Sequence, residues 1–209
     1  MPALNSVASH NVESWCRVSA IAELADIFDP AMQVCSWQRS IDTDLKAYLS
    51  KATEHGNVQI REVVKSGSRP KLTDLPADEG SELLRSDVAM LAEILGELVD
   101  CPSVGLRLAR VESAMCPRWH IDRVPIRMLC TYAGSGTEWL DDQGVDKRRL
   151  SDADIVDASC QRAASAEVVL LKGGLWQGNE GLGAIHRSPV IAPEEQPRLL
   201  LTLDPLWPD

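Results

Sequence analysis

The sequence predicts an α+β protein, with N-terminal helices packed outside a C-terminal sandwich or barrel-like sheet. Three observations carry this. A long helical apolar stripe lies before residue 100. Five short β-type runs bounded by Gly and Pro follow residue 102, and no long helix separates most of them.

Taken in order, SAIAELADIF (19–28) reads as helical, stopped by Asp29-Pro30, and VCSW (34–37) as a short strand. Asp42 is placed to cap a helix through about residue 54, with Leu45, Leu49 and Ala52 on one face and His55-Gly56-Asn57 ending it. VQIREVV (58–64) alternates enough for a strand, and a Pro/Gly/Lys-rich connection runs from Ser66 to about Ala77. The clearest helix spans about 79–99, where Leu83, Leu84, Val88, Leu91, Ile94, Leu95 and Leu98 form its apolar face; Asp100-Cys101-Pro102 ends it. The strand-like runs are then 105–113, 124–134, 166–174, 183–189 and 197–205, with a polar segment at 141–163 read as partly helical after Ser151. The expected organisation is one domain over 1–209, made of a mixed helical and strand part (1–101) and a β-rich metal-binding core (102–209).

Composition narrows the function classes. With 31 acidic against 21 basic residues, the net charge of −10 disfavours non-specific nucleic-acid binding. One Phe and two Tyr supply few base-stacking rings. There is no apolar run long enough for a membrane span and no basic-then-apolar leader at the start, so a cytoplasmic protein is expected. The six Cys contain no CxxC pair and are read as free, buried thiols. GxGxxG, Walker-type and GxSxG patterns are missing. A homodimer stays open, as does a small-molecule or a protein substrate.

Chemistry concentrates in two of the four His. His10 and His55 fall in loop or helix-end positions and are read as solvated. His120 is followed by Ile121-Asp122, and in extended chain residues i and i+2 share a face, so an imidazole and a carboxylate converge. A third ligand must come from elsewhere, and His186 stands 64 residues further on, in the penultimate strand-like run. Two His and one carboxylate leave three positions open on a metal, the set that suits non-haem Fe(II) and O₂ chemistry. The blander reading of the same pair is a hydrogen-bonded strand His beside a turn Asp. Arg198 follows His186 by 12 residues, and the Gly-rich segments GSGT and GGLWQGNEGLG can supply turns at a barrel mouth.

HxD…H with a trailing Arg resembles the 2-oxoglutarate/Fe(II) dioxygenase pattern on a double-stranded β-helix (jelly-roll, cupin-like) fold. The resemblance implies iron held by His120, Asp122 and His186, with Arg198 gripping the distal carboxylate of 2-oxoglutarate; a planar guanidinium matches a carboxylate bidentately. WHIDRVPIRMLCTYAGSGTEWL (119–140), IHRSP (185–189) and DPAMQVCSWQR (29–39) resemble the DUF1826 family of bacterial proteins, which has no established function. Its members are often encoded near zinc-homeostasis genes, which sets zinc beside iron and a non-catalytic zinc-handling role beside an oxygenase.

Other residues carry two readings each. Arg127 and Thr131 share parity after the HxD and are candidates to bind the co-substrate, with a salt bridge as the rival role for Arg127. Arg187 either touches substrate or caps a turn. Trp119, Trp139 and Trp176 either wall a pocket or fill the core. Cys116 offers a thiolate that zinc would accept, although Pro117 intervenes before His120.

Overall fold

The computed structural model describes residues 13–208 except 55–56, 74, 77, 143–144, 148–149, 151–154, 156–158 and 193. The first described elements are strand β1 (Trp15–Val18), which the sequence reading did not assign, and a 3-10 helix, Ile21–Phe28. The helix is nucleated by Glu23, whose carboxylate accepts from the backbone of Ser19 (3.1 Å) and Ala20 (2.9 Å). Strand β2 (Val34–Trp37) and helix α1 (Thr43–Glu54) follow as expected, and the Asp42 carboxylate accepts from the Asp44 amide at the helix start (2.7 Å). After β3 (Gln59–Lys65) comes α2 (Glu79–Leu98), capped by Asp78, whose carboxylate accepts from the Ser81 amide (3.1 Å). Leu84, Val88, Leu91 and Leu95 are fully buried, but Leu83 lies on the outer face at 37% exposure.

The remaining strands are β4 (Ser103–Val111), β5 (Ile126–Ala133), β6 (Glu138–Leu140), β7 (Cys160–Arg162), β8 (Val168–Lys172), β9 (His186–Arg187) and β10 (Arg198–Leu206). They form a seven-stranded sheet, in the order β1-β2-β8-β5-β10-β4-β3, and a three-stranded sheet, β7-β6-β9. All the pairings are antiparallel except β1 with β2. The alternation of side chains along β10 explains the layers. Leu199, Leu201 and Leu203 join the main core with both helices, while Leu200 belongs to a second core with Leu129, Val169, Leu171 and Trp139 of the small sheet. Two facing sheets with helices on the outer face of the larger one make the α+β jelly-roll arrangement that was expected.

Two readings need correction. Part of the 141–163 segment is strand, not helix: Cys160–Arg162 pairs with Glu138–Leu140. The helical expectation after Ser151 otherwise falls mostly outside the described residues, as do His10 and His55. All six Cys are free, but only Cys35, Cys101 and Cys130 are buried; Cys116 and Cys160 are exposed. Among the described residues, no helix is long and apolar enough to cross a membrane.

One polar cluster ties the helix layer to the sheet. Asp87 on α2 receives both terminal nitrogens of Arg39 (2.6 and 2.8 Å) and the Tyr132 hydroxyl (2.6 Å), while Arg39 Nε donates to the Ala166 carbonyl (2.9 Å). The Arg39 side chain is 5% exposed, so removing its carboxylate strands a buried cation. Asp87→Ala is expected to cost about 3–5 kcal/mol in urea unfolding. A loss below about 1 kcal/mol would show that solvent replaces the carboxylate there.

A candidate metal centre

His120 and His186 come together through backbone pairing. Each amide donates to the other's carbonyl, both at 3.0 Å, in an isolated antiparallel bridge. Directly opposed residues of such a pair project to the same side, which leaves the two imidazoles with ring centroids 4.4 Å apart. Asp122, two residues on, shares the face of His120. His120, Asp122 and His186 each offer a ligand atom, and these atoms lie within 4.8 Å of one another.

The tautomers follow from the neighbours. Nδ1 of His120 lies 2.9 Å from the Arg118 carbonyl oxygen, and Nδ1 of His186 lies 3.0 Å from that of Ala184. A carbonyl only accepts, so each Nδ1 carries a proton, and Nε2 is the nitrogen left to present a lone pair to a metal. The two Nε2 atoms face Asp122, at 3.5 Å from Oδ1 and 3.4 Å from Oδ2. Burial pushes the Asp122 carboxyl up. Hydrogen bonds with His120 and His186 and the positive charge of Arg127 outweigh that and hold it well below the usual range. In the metal-free site a hydrogen bond from Nε2 to Asp122 needs a second ring proton, and that bond raises His120 against the effect of burial. With the Nε2 protons released, the donor set is two imidazole nitrogens and one ionised carboxylate, which suits a divalent transition metal.

Arg127 is taken up by two acids. Its Nη1 donates to Asp122 Oδ2 (2.6 Å), and its Nε and Nη2 donate to Asp204 (2.7 and 2.8 Å). This is the salt-bridge arrangement, and it orients the Asp122 carboxylate from behind.

Arg198 is different. It is 1% exposed, and its Nη2 donates only to the neutral hydroxyls of Thr131 (3.2 Å) and Thr137 (3.1 Å). Its Nε has no hydrogen-bond partner. Burial pushes the guanidinium down to about 10, opposed by the charge of Glu138. That acid is committed to Arg162 and Arg187. A buried cation with no acid partner among the described residues fits an incoming carboxylate. Thr131, read as a candidate to bind the co-substrate, stands beside Arg198. Thr137, its second neighbour, went unread because it precedes a strand of only three residues.

The triad lines a cleft of about 80 Å³, together with Arg107, Arg127 and Arg187 among others. Trp119 and Trp176, read as substrate contacts, are not among the residues that line it. Trp119 neighbours His120 and so alternates to the opposite face, where it packs on Leu140, Ile155 and Ile185. Trp176 packs on Phe28 (5.7 Å between ring centroids) and under the Lys172 ammonium. Trp139 is core, at 0% exposure. Arg187 reaches the cleft while donating to Glu138 (2.7 Å) and stacking on Trp119 at 4.1 Å. Cys116 also borders the cleft but does not join the ligand cluster.

This architecture is shared with solved dioxygenases. A dioxygenase for auxin oxidation from rice is 16% identical with a TM-score of 0.54, covering 90% of this chain and 78% of that one. Dioxygenase for auxin oxidation 1 from Arabidopsis thaliana, solved with 2-oxoglutarate, is 12% identical with a TM-score of 0.53 (95% and 94% covered). The Fe(II)/α-ketoglutarate-dependent dioxygenase TqaL is 12% identical with a TM-score of 0.52 (90% and 87%). At these identities the likeness is one of fold. The chain itself belongs to DUF1826, described as a family of proteins of unknown function, whose model matches residues 19–204. No curated protein sequence matches it.

Proposed function

We propose that this protein is an Fe(II)- and 2-oxoglutarate-dependent oxygenase acting on a small molecule or a protein. The observation that carries the reading is Arg198, a buried guanidinium without an acid partner, on the same jelly-roll core as the His120, Asp122 and His186 triad. A mononuclear metal site explains the triad. A metal site together with a buried carboxylate receptor calls for a co-substrate with a carboxylate, and 2-oxoglutarate is the one named for the similar structures. His120, Asp122 and His186 would hold the metal, and Arg198, with Thr131 and Thr137 at its side, would hold the distal carboxylate. Bound Fe(II), O₂ and 2-oxoglutarate would supply the oxidising power to hydroxylate a C–H bond, with succinate and CO₂ as co-products. The chain's own share is to fix both His tautomers, to keep Asp122 ionised through Arg127, and to bury the clamp away from water.

Anaerobic loading with Fe(II), followed by equilibrium binding of 2-oxoglutarate, tests this. About one iron per chain and saturable 2-oxoglutarate binding are expected, both lost in His120→Ala. Near-stoichiometric zinc that survives dialysis, with no 2-oxoglutarate binding, would instead assign a zinc-holding role, with Cys116 as the residue to examine next.

A further inference from the structure

Of the arginines that line the metal cleft, Arg127 is neutralised by Asp122 and Asp204, and Arg187 by Glu138. Arg107 on β4 is half-buried, and its side chain makes no hydrogen bond or ion pair among the described residues. Its direct cross-strand partners are Arg61 on β3 and Thr202 on β10, and Thr202 lines the same cleft. Thr202 is 2% exposed and its Oγ1 has no hydrogen-bond partner. A charged donor and a buried hydroxyl donor therefore stand side by side, both unused and both beside the triad. Two unmet donors at one spot in a cleft describe a receptor for an anion.

Position separates this receptor from the co-substrate clamp. Arg198 and Thr202 are four residues apart on β10, about 13 Å at the usual rise of a strand. Both side chains sit on the face turned to the small sheet. The Arg198 end is sealed, whereas Arg107 is reached from solvent. Leu129 and Leu200 line the cleft as apolar wall, and Leu129 is the cross-strand partner of Thr202.

We propose that Arg107 and Thr202 form a second anion subsite, which binds the acidic group of the substrate and lays its apolar body along Leu129 and Leu200 toward the metal. The substrate class is then an organic acid, a carboxylate joined to a hydrocarbon or ring. The assignment deepens the oxygenase reading and rests on it for the word substrate; the subsite itself is testable without it.

The test uses full-length protein loaded with Mn(II), whose unpaired electrons relax nearby protons in NMR. The probes are octanoate and phenylacetate, each paired with its uncharged amide. Both acids should bind with their carbon chains relaxed by the metal, and at least tenfold more tightly than the amides. Arg107→Gln should weaken the acids at least tenfold and leave the amides where they were. Thr202→Val, which keeps the buried volume, should weaken the acids about threefold. Metal content and melting temperature of each variant report that the site is still built. The proposal is overturned if the amides bind as well as the acids, if Arg107→Gln binds them unchanged, or if neither acid binds. It also falls if 2-oxoglutarate displaces the acids competitively, because Arg107 would then belong to the co-substrate. If 2-oxoglutarate fails to bind but the acids still depend on Arg107, the oxygenase reading is lost and the anion subsite stands.

Discussion

Replacing Arg198 with Met is expected to raise the melting temperature of the ligand-free protein while abolishing 2-oxoglutarate binding. Most core substitutions destabilise, so the sign of the first effect is the informative part. Arg198 sits at 1% exposure with, among the described residues, two threonine hydroxyls as its only hydrogen-bond partners and an unsatisfied Nε. Taking a cation out of water without an acid costs several kcal/mol, and neutral hydroxyls return only part of that. Met fills similar volume with no charge to desolvate, so a gain of about 1–3 kcal/mol follows. In a chain of this size that is a rise of roughly 2–10 °C.

The same substitution removes both the charge and the fork that would meet a carboxylate. Losing one side of a buried charge-assisted pair costs about 2–5 kcal/mol of affinity, or roughly 30- to several-thousandfold. Arg198→Lys keeps the charge but not the planar geometry, and should fall between the two. Melting curves with and without 2-oxoglutarate, joined to a direct binding titration, read both effects. If Arg198→Met lowers the ligand-free melting temperature by several degrees, Arg198 is a structural cation and the clamp assignment fails.

Elements with a strong period were legible. The α2 stripe puts Leu84, Val88, Leu91 and Leu95 on one face by spacing alone, and the structure buries all four completely. The i, i+2 rule placed His120 and Asp122 together without any knowledge of the fold. What escaped depends on contacts distant in sequence. β1, β6 and β7 are three or four residues long, too short to show a period. Thr137 gains its meaning only because β6 runs past the start of β10. Asp204 was unread because its partner Arg127 lies 77 residues away. Trp119 was a matter of parity: the alternation that aims His120 into the cleft sends its neighbour to the opposite face, into a core cluster, and applying the rule to both would have placed it.

The glycines of the 173–183 segment show how the fold builds the site, and the second large effect is expected there. Gly173→Ala should destabilise the protein by more than about 4 kcal/mol and strip it of metal. Gly-to-Ala changes usually stabilise slightly when the backbone allows a side chain. Gly173 is not among the positive-φ glycines, so its obstacle is space. A Cβ there would fall on the Val124 carbonyl oxygen and within 2.9 Å of that of Asp122. The approach is close because the turn after β8 straps the loop that carries Asp122: the amide of Gly173 donates to the Pro125 carbonyl (2.8 Å), Gly174 to Asp122 (2.9 Å) and Leu175 to Val124 (3.2 Å). Backbone on both sides cannot yield as a flexible side chain could. Accommodating one methyl must push the 122–125 segment away and carry the Asp122 carboxylate off its place between the two imidazoles. Gly178→Ala is the matched control, with φ +78 but open space around it. Its cost is confined to left-handed strain of about 1–2 kcal/mol, with metal retained. Circular dichroism melts and metal content measured well below the melting temperature decide the matter. A Gly173→Ala protein with near-wild-type melting and full metal would show that the loop carrying Asp122 stands without its strap.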